Sequence, residues 1–207
     1  MAVAVPLADP PAGMARLNPV DGAPPTFLAP DFMAADFLAP DFLANGGEMG
    51  ALIRAHDWAA TPLGPPARWP PPLRTVVRLM LTTNHPVFIF WGPAHTCLYN
   101  DAYSASLGAE KHPSMLGAPG RPAWAEIWHI IGPQIALVLA GHGATWHEDH
   151  LVPIDRHGRR EDVYWTYGFS PIDDAASPGG IGGVLVLCTE TTKRVLEEHR
   201  LAFLLAL

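Results

Sequence analysis

The chain is short of cysteine, of basic residues and of long apolar runs, and each shortage closes a class of function. Its two cysteines, Cys97 and Cys188, both sit inside apolar, strand-like stretches. Two sulfurs alone make no zinc site, so buried free thiols are expected. Only 13 Lys and Arg stand against 20 Asp and Glu, a formal charge of −7, which argues against nucleic acid or an anionic membrane as partner. No apolar run reaches the ~18 residues of a membrane span. The opening MAVAVPLADPP has neither the basic start nor the apolar centre of a signal peptide. The chain is therefore read as soluble and cytoplasmic. Catalytic signatures are missing too. GGIGG at residues 179–183 precedes a strand instead of opening a helix and fails as a phosphate loop. Ser170-Pro171 lacks the glycines of a nucleophile elbow. His199 is not followed by the acidic neighbour of a phosphoacceptor histidine. No catalytic residue is assigned.

What is present is apolar patterning, with 49% of the 207 residues hydrophobic, enough for one domain with appendages. Residues 163–192 organise the rest. Val163, Trp165, Tyr167 and Phe169 alternate with Tyr164, Thr166, Gly168 and Ser170, a period-two strand with one large apolar face. A polar, Pro/Gly-punctuated turn follows at 173–180. Residues 181–189 are almost wholly apolar and rich in β-branched side chains, which predicts a central strand buried on both faces. At Thr189 the pattern stops and KRVLEEHRLAFLLAL continues with helical period to the end.

Upstream, residues 1–46 are Pro- and Ala-rich with an imperfect five-residue repeat starting at Phe27, Phe32, Phe37 and Phe42. The period suits neither helix nor strand, leaving a disordered tail or a sticky arm. Met49, Leu52, Ile53 and His56 mark a short helix, TPLGPPARWPPP an irregular connector, and Leu73, Val76, Val77 and Met80 the apolar face of a second helix over 73–83. PVFIFW and TCLYN read as a hairpin. Residues 101–122 are polar and broken, consistent with single-turn helices. Pro133 divides the next apolar segment into helices over 123–131 and 133–140. TWHEDHLVPID is a strand, with a turn at Gly158 before the organising pair. The sum is an α+β fold: a five-stranded antiparallel sheet with helices on one face, an N-terminal helical extension and a C-terminal exit helix.

A metal reading can be raised from His142, His147, Glu148, Asp149 and His150. In a regular strand His147 and Asp149 share one face and Glu148 and His150 the other, so at most two ligands converge. The ordinary reading is a polar strand near a sheet edge, with no metal.

The elements in this order resemble the PAS sensory domain over residues 48–207, in particular PAS modules at the N-terminus of bacterial sensor histidine kinases. The resemblance rests on LGPPARWPPPLR, FIFWGPAHTCLYNDAYSASLG, AEIWHIIGP, TWHEDHL, TYGFSPI and GGIGGVLVLCTETTKRVLEEHRL together. It implies a layout of a low-complexity extension at 1–46, N-terminal helices at 47–84, a PAS core at 85–192 and a truncated exit helix at 193–207. It also implies a non-enzymatic sensory input module of a two-component protein, a homodimer through its N-terminal and exit helices, and a downstream signalling domain in a full-length histidine kinase.

At the strand–helix junction such domains often carry an acidic residue followed by a hydroxyl residue. Thr189-Glu190-Thr191-Thr192 matches, with Glu190 free to pair with Lys193, Arg194 or a basic residue elsewhere, and Thr191 or Thr192 as helix cap. These five, Glu190 to Arg194, are the expected relay. Flavin chemistry of the superfamily needs a cysteine in the short helices, and none lies between Cys97 and Cys188. Haem-binding members use a helix histidine, for which His129 and His142 are the candidates, against solvated or core histidines as the structural alternative. What is left is a small cavity between sheet and central helices for a small apolar ligand. Trp128, Ile131, Ile135, Trp146, Tyr167, Phe169 and Val184 would line it, with Tyr167 and His150 as polar contacts. The competing reading is a filled core in a ligand-free dimerisation scaffold.

Overall fold

A computed structural model describes residues 41–206; the repeat units at Phe27 and Phe32, most of the one at Phe37, and Leu207 lie outside the described residues. The α+β architecture is as expected. Strands β1 (Val87–Trp91), β2 (Thr96–Tyr99), β3 (Thr145–Leu151), β6 (Tyr164–Asp173) and β7 (Ile181–Glu190) form one antiparallel sheet in the order β2-β1-β7-β6-β3. The long β6–β7 pair is the period-two hairpin, and Trp165, Tyr167 and Phe169 all point to its buried face. Strands β4 (Ile154–Arg156) and β5 (Arg159–Glu161) make a separate small hairpin. Its two-residue turn, His157-Gly158, has φ of 54° and 70°, the mirror-image turn that suits the twist of a hairpin and favours glycine at its second position.

On the inner face of the sheet lie the single-turn helices α3 (Asp101–Ser104) and α4 (Gly120–Ala123) and the longer α5 (Trp128–Leu139), which contacts β6 and β7. Here the structure corrects the split at Pro133. The proline sits inside one continuous helix, because both Pro133 and His129, whose carbonyl loses its partner, are exposed, so solvent satisfies the freed oxygen.

Helices α1 (Gly47–Ala55) and α2 (Pro71–Thr82) belong to the other face at β1 and β2. All of β1 is buried, including Ile89 at 0% exposure, whose side chain faces away from Phe88 and Phe90, and α2 contacts both strands. Helix α2 also contacts β6, but its cover ends short of the second half of β7. Leu187 on β7 is 43% exposed, so β7 is buried on both faces only over its first half, not throughout.

Asn100 locks this extension to the core. Its amide nitrogen lies 2.8–3.1 Å from the carbonyls of Met80, Thr83 and His85, while its oxygen accepts from the Val87 and Tyr103 amides. Asp101 receives the Glu48 and Met49 amides at the start of α1. Of the repeated segment, residues 42–46 are packed: Leu43 is buried, and Phe42 meets the Trp69 ring at 5.8 Å and the Arg74 guanidinium at 5.2 Å. Helix α6 (Thr192–Leu205) leaves directly from β7; only Val195 on it is buried.

Candidate functional site

An apolar cavity of about 60 Å³ lies between the inner sheet face and the short helices. Phe88, Phe90, Trp165, Tyr167, Phe169, Val186 and Cys188 form its floor, all on strand positions of one parity. Tyr103, Ser106, Trp124, Ile127 and Ile131 form its roof, and Val152 and Ile154 close one side. Burial pushes the Cys188 thiol up to about 12 and the Tyr103 phenol well above its usual range, so both stay neutral.

The expected lining is brought together in part. Ile131, Tyr167 and Phe169 are on the wall. Ile135 and Val184 are fully buried beside it and fill core. Trp128 faces Phe90 and His95 instead, at 6.4 and 5.5 Å, next to a surface groove with Pro93 and Arg121. Trp146 is on the wrong side of the sheet: it is 61% exposed, lies over Gly168 where a Cβ would come within 3.0 Å of its ring, and donates its indole N–H to Glu148.

The cause is legible in the pairing of β3. His147 opposes Tyr167 and His150 opposes Trp165, so Glu148 and Asp149 together face Thr166, with Asp149 at φ 47°. This is a β-bulge. It returns His150 to the inner face beside His147, against the strict alternation expected from the sequence. The two imidazoles and the Tyr167 ring stack, with centroids 5.2–5.9 Å apart.

His150 reaches the cavity wall only through Tyr167. Gln134 Nε2 donates to the Ile130 carbonyl and to the Tyr167 hydroxyl, 3.3 and 3.0 Å, and Gln134 Oε1 accepts from Thr145 at 3.2 Å. The Ile130 carbonyl is acceptor-only and so fixes the amide orientation. The Tyr167 hydroxyl, whose proton is not used by Gln134, lies 2.8 Å from His150 Nδ1 and is hydrogen-bonded to it. Burial, then the neighbouring His147, holds the His150 pKa below the usual value.

The junction with α6 is built from pairs distant in sequence. Glu190 takes neither Lys193 nor Arg194. Both its oxygens accept from Arg156, at 2.9 and 3.1 Å, in a fork that only a guanidinium supplies. Arg156 also donates to Glu161 at 2.9 Å and to the Ser106 carbonyl at 3.4 Å. Glu190 and Glu161 raise its pKa, while Arg156 and Arg159 hold Glu161 at about 2. Arg194 instead pairs with Asp149, whose carboxyl it holds below the usual range, and with Glu198. Thr191 starts α6 without a side-chain cap. The Thr192 hydroxyl accepts from the Tyr164 amide at 3.0 Å instead of capping, and the Thr191 amide donates to the Tyr164 carbonyl at 2.8 Å. Lys193 is exposed.

Haem and flavin do not fit this site. Its volume is well below the ~300–1,000 Å³ of cofactor pockets. No histidine lines it, and His129 and His142 are both exposed. Among the described residues no group of three or more His, Cys, Asp or Glu is placed to hold a metal ion, and no helix is long and apolar enough to cross a membrane.

Arg156, Gln134, Asn100 and Trp124 were not singled out from the sequence. Asn100 alone carried a readable signal, as an asparagine directly preceding a helical start; the partners of the other three are tertiary.

No protein-family model and no curated protein matches the sequence. Solved structures do. An RNA-binding light-oxygen-voltage receptor matches with a TM-score of 0.44 and 17% identity, over 64% of this chain and 37% of that one. The PAS domain of Bordetella pertussis BvgS matches at 0.36 and 19%, over 65% and 98%. A sensory box sensor histidine kinase from Vibrio cholerae matches at 0.37 and 13%, over 56% and 86%.

Proposed function

We propose that this chain is a cytoplasmic sensory PAS domain of a bacterial signal-transduction protein, a sensor histidine kinase. In this reading the state of the cavity, or of a bound partner, passes through α6 of a homodimer to a following output domain. The observation that carries it is the position of Arg156. One guanidinium touches the carbonyl of Ser106, which lines the cavity, belongs to the hairpin that places Ile154 on the cavity wall, and clamps Glu190, the last residue of β7, two positions before α6 begins. A shift of the wall therefore changes the geometry at the helix start.

The dimer is supported by α6 itself. Leu201, Leu204 and Leu205 are spaced to share one face and are 60%, 55% and 89% exposed, an apolar stripe that seeks a partner.

Hydrogen exchange over residues 192–205 of the full chain, with and without a cavity-filling molecule, is the test. Altered protection there supports the relay. Unchanged protection at proven occupancy overturns the relay, and a cavity that takes up no molecule at all favours the second reading, a ligand-free dimerisation scaffold, which the small cavity volume also favours.

A further inference from the structure

The surface groove beside Trp128 has walls from three elements: the β1–β2 turn with Pro93 and His95, α4 with Arg121 and Pro122, and α5 with Trp128 and Gly132. It is open to solvent and holds about 560 Å³. The walls are fixed to one another. Gly120, at the start of α4, donates its amide to the Ala94 carbonyl at 3.1 Å, and a Cβ there would come within 2.8 Å of the His95 carbonyl. Trp128 lies along α5 with its indole nitrogen 2.7 Å from where a Cβ on Gly132 would stand, so a side chain at 132 would displace it.

The groove is rich in donors and poor in acceptors. The Trp128 indole nitrogen has no partner among the described residues and is not enclosed by protein atoms. Arg121 is exposed and makes no ion pair or hydrogen bond among the described residues. Both side chains are donor-only, and no carboxylate lines the groove. Burial lowers the His95 pKa, so that ring meets an occupant uncharged, 5.5 Å from the Trp128 ring. The other walls are rigid and apolar, with Pro93, Pro119 and Pro122 all exposed.

An occupant matched to these groups brings free carbonyls, few N–H groups, flat apolar rings and a negative charge. A helix spends its carbonyls internally. A polyproline II segment makes no internal hydrogen bonds and its prolines carry no N–H, and such segments dock on aromatic-lined grooves. We propose that this groove binds an extended, proline-rich segment of a partner protein, with an acidic side chain of that segment against Arg121. Trp128 donates to one of its carbonyls and lays its ring along a proline. Binding here uses neither the cavity nor α6, so its failure leaves the sensory reading untouched.

The test uses the full chain labelled with ¹⁵N and follows the indole N–H signals during titration with a capped Asp-Pro-Pro-Ala-Pro-Pro-Asp peptide. The signal that disappears in Trp128→Phe should shift and saturate, and that variant should bind about threefold to tenfold more weakly, the worth of one hydrogen bond. A peptide with alanine for every proline should bind on the order of tenfold more weakly, having lost its preformed shape. A peptide with asparagine for both aspartates should bind about twofold to fivefold more weakly, the worth of an exposed ion pair. Arg121→Gln should abolish that last difference, and Arg160→Gln, at an exposed position on the β4–β5 hairpin, should preserve it. The proposal is overturned if no indole signal shifts saturably, if the alanine peptide binds equally well, if the aspartate–asparagine difference survives Arg121→Gln, or if an amphipathic Leu/Lys helical peptide binds more tightly. The peptide comparisons and the exposed Arg121→Gln change do not depend on Trp128→Phe folding.

Discussion

Replacing Arg156 with methionine removes the guanidinium fork and keeps most of the apolar stem. The Arg156 side chain is 10% exposed and that of Glu190 33%. The pair therefore falls between exposed ion pairs, worth about 0.2–1 kcal/mol, and buried ones, whose breakage costs about 3–5 kcal/mol. With two charge-assisted hydrogen bonds lost at the partly wetted Glu190 carboxylate, and a third at Glu161, which Arg159 still holds, a loss of about 2 kcal/mol is expected. That corresponds to a fall of about 1 M in the urea midpoint at the usual slope for a domain of this size. Locally the effect should be sharper. If the fork holds the start of α6, amides at residues 192–196 should exchange up to about 30-fold faster, since each 1.4 kcal/mol is a factor of ten. Arg159→Met is the comparison, because Arg159 is 75% exposed and reaches only Glu161; its effect should be small and confined to the β4–β5 hairpin. Equal stability of Arg156→Met and the natural chain, or equal effects of the two variants on α6 exchange, would refute the assignment of Arg156 as the strut between wall and helix.

Asn100→Ala should lower stability by about 3 kcal/mol, read from urea unfolding, because it strands buried donors and acceptors at the ends of α2, β1 and α3. His150 and His95 are both held below the usual imidazole value, chiefly by burial, so the unfolded chain binds protons that the folded domain refuses. Their contribution is complete above about pH 6.5 and is lost as pH falls through the depressed folded values. The urea midpoint should drop between about pH 7 and pH 5, and His150→Gln should flatten that drop; an unaltered slope would assign the effect elsewhere. Leu201→Glu with Leu205→Glu should convert a dimer to a monomer by sedimentation at equal concentration while leaving the fold intact by circular dichroism, since neither side chain is buried in the domain. A dimer that survives this change does not use the α6 stripe.

The parts of the fold that were legible are those set by local periodicity. The alternation of Trp165, Tyr167 and Phe169 gave the face of β6 because a strand has no other way to bury three aromatics together. The helical spacing of Leu73, Val77 and Met80 similarly placed α2. Pro133 misled because its cost depends on whether the freed carbonyl meets water, which is a property of the folded surface. Trp146 and His150 misled together: a bulge inserts one residue into the alternation and exchanges the faces of everything after it, and no residue in TWHEDHL announces it. At the junction, Glu190 was recognisable by its place before a helix, but its partner Arg156 lies 34 residues away and is chosen by the way the small hairpin folds back. The groove at Trp128 could not have been read at all, since its walls come from three separate elements.

The extra residue in β3 has a mechanical meaning. Turned outward by the bulge, Asp149 grips Arg194 on α6 and exchanges hydrogen bonds with Thr166, while the next side chain, His150, turns inward to Tyr167. Two adjacent peptide units on a border strand thus hold opposite ends of the machine, so a slip of that strand by one position would release the imidazole and unmoor the outgoing helix in a single event.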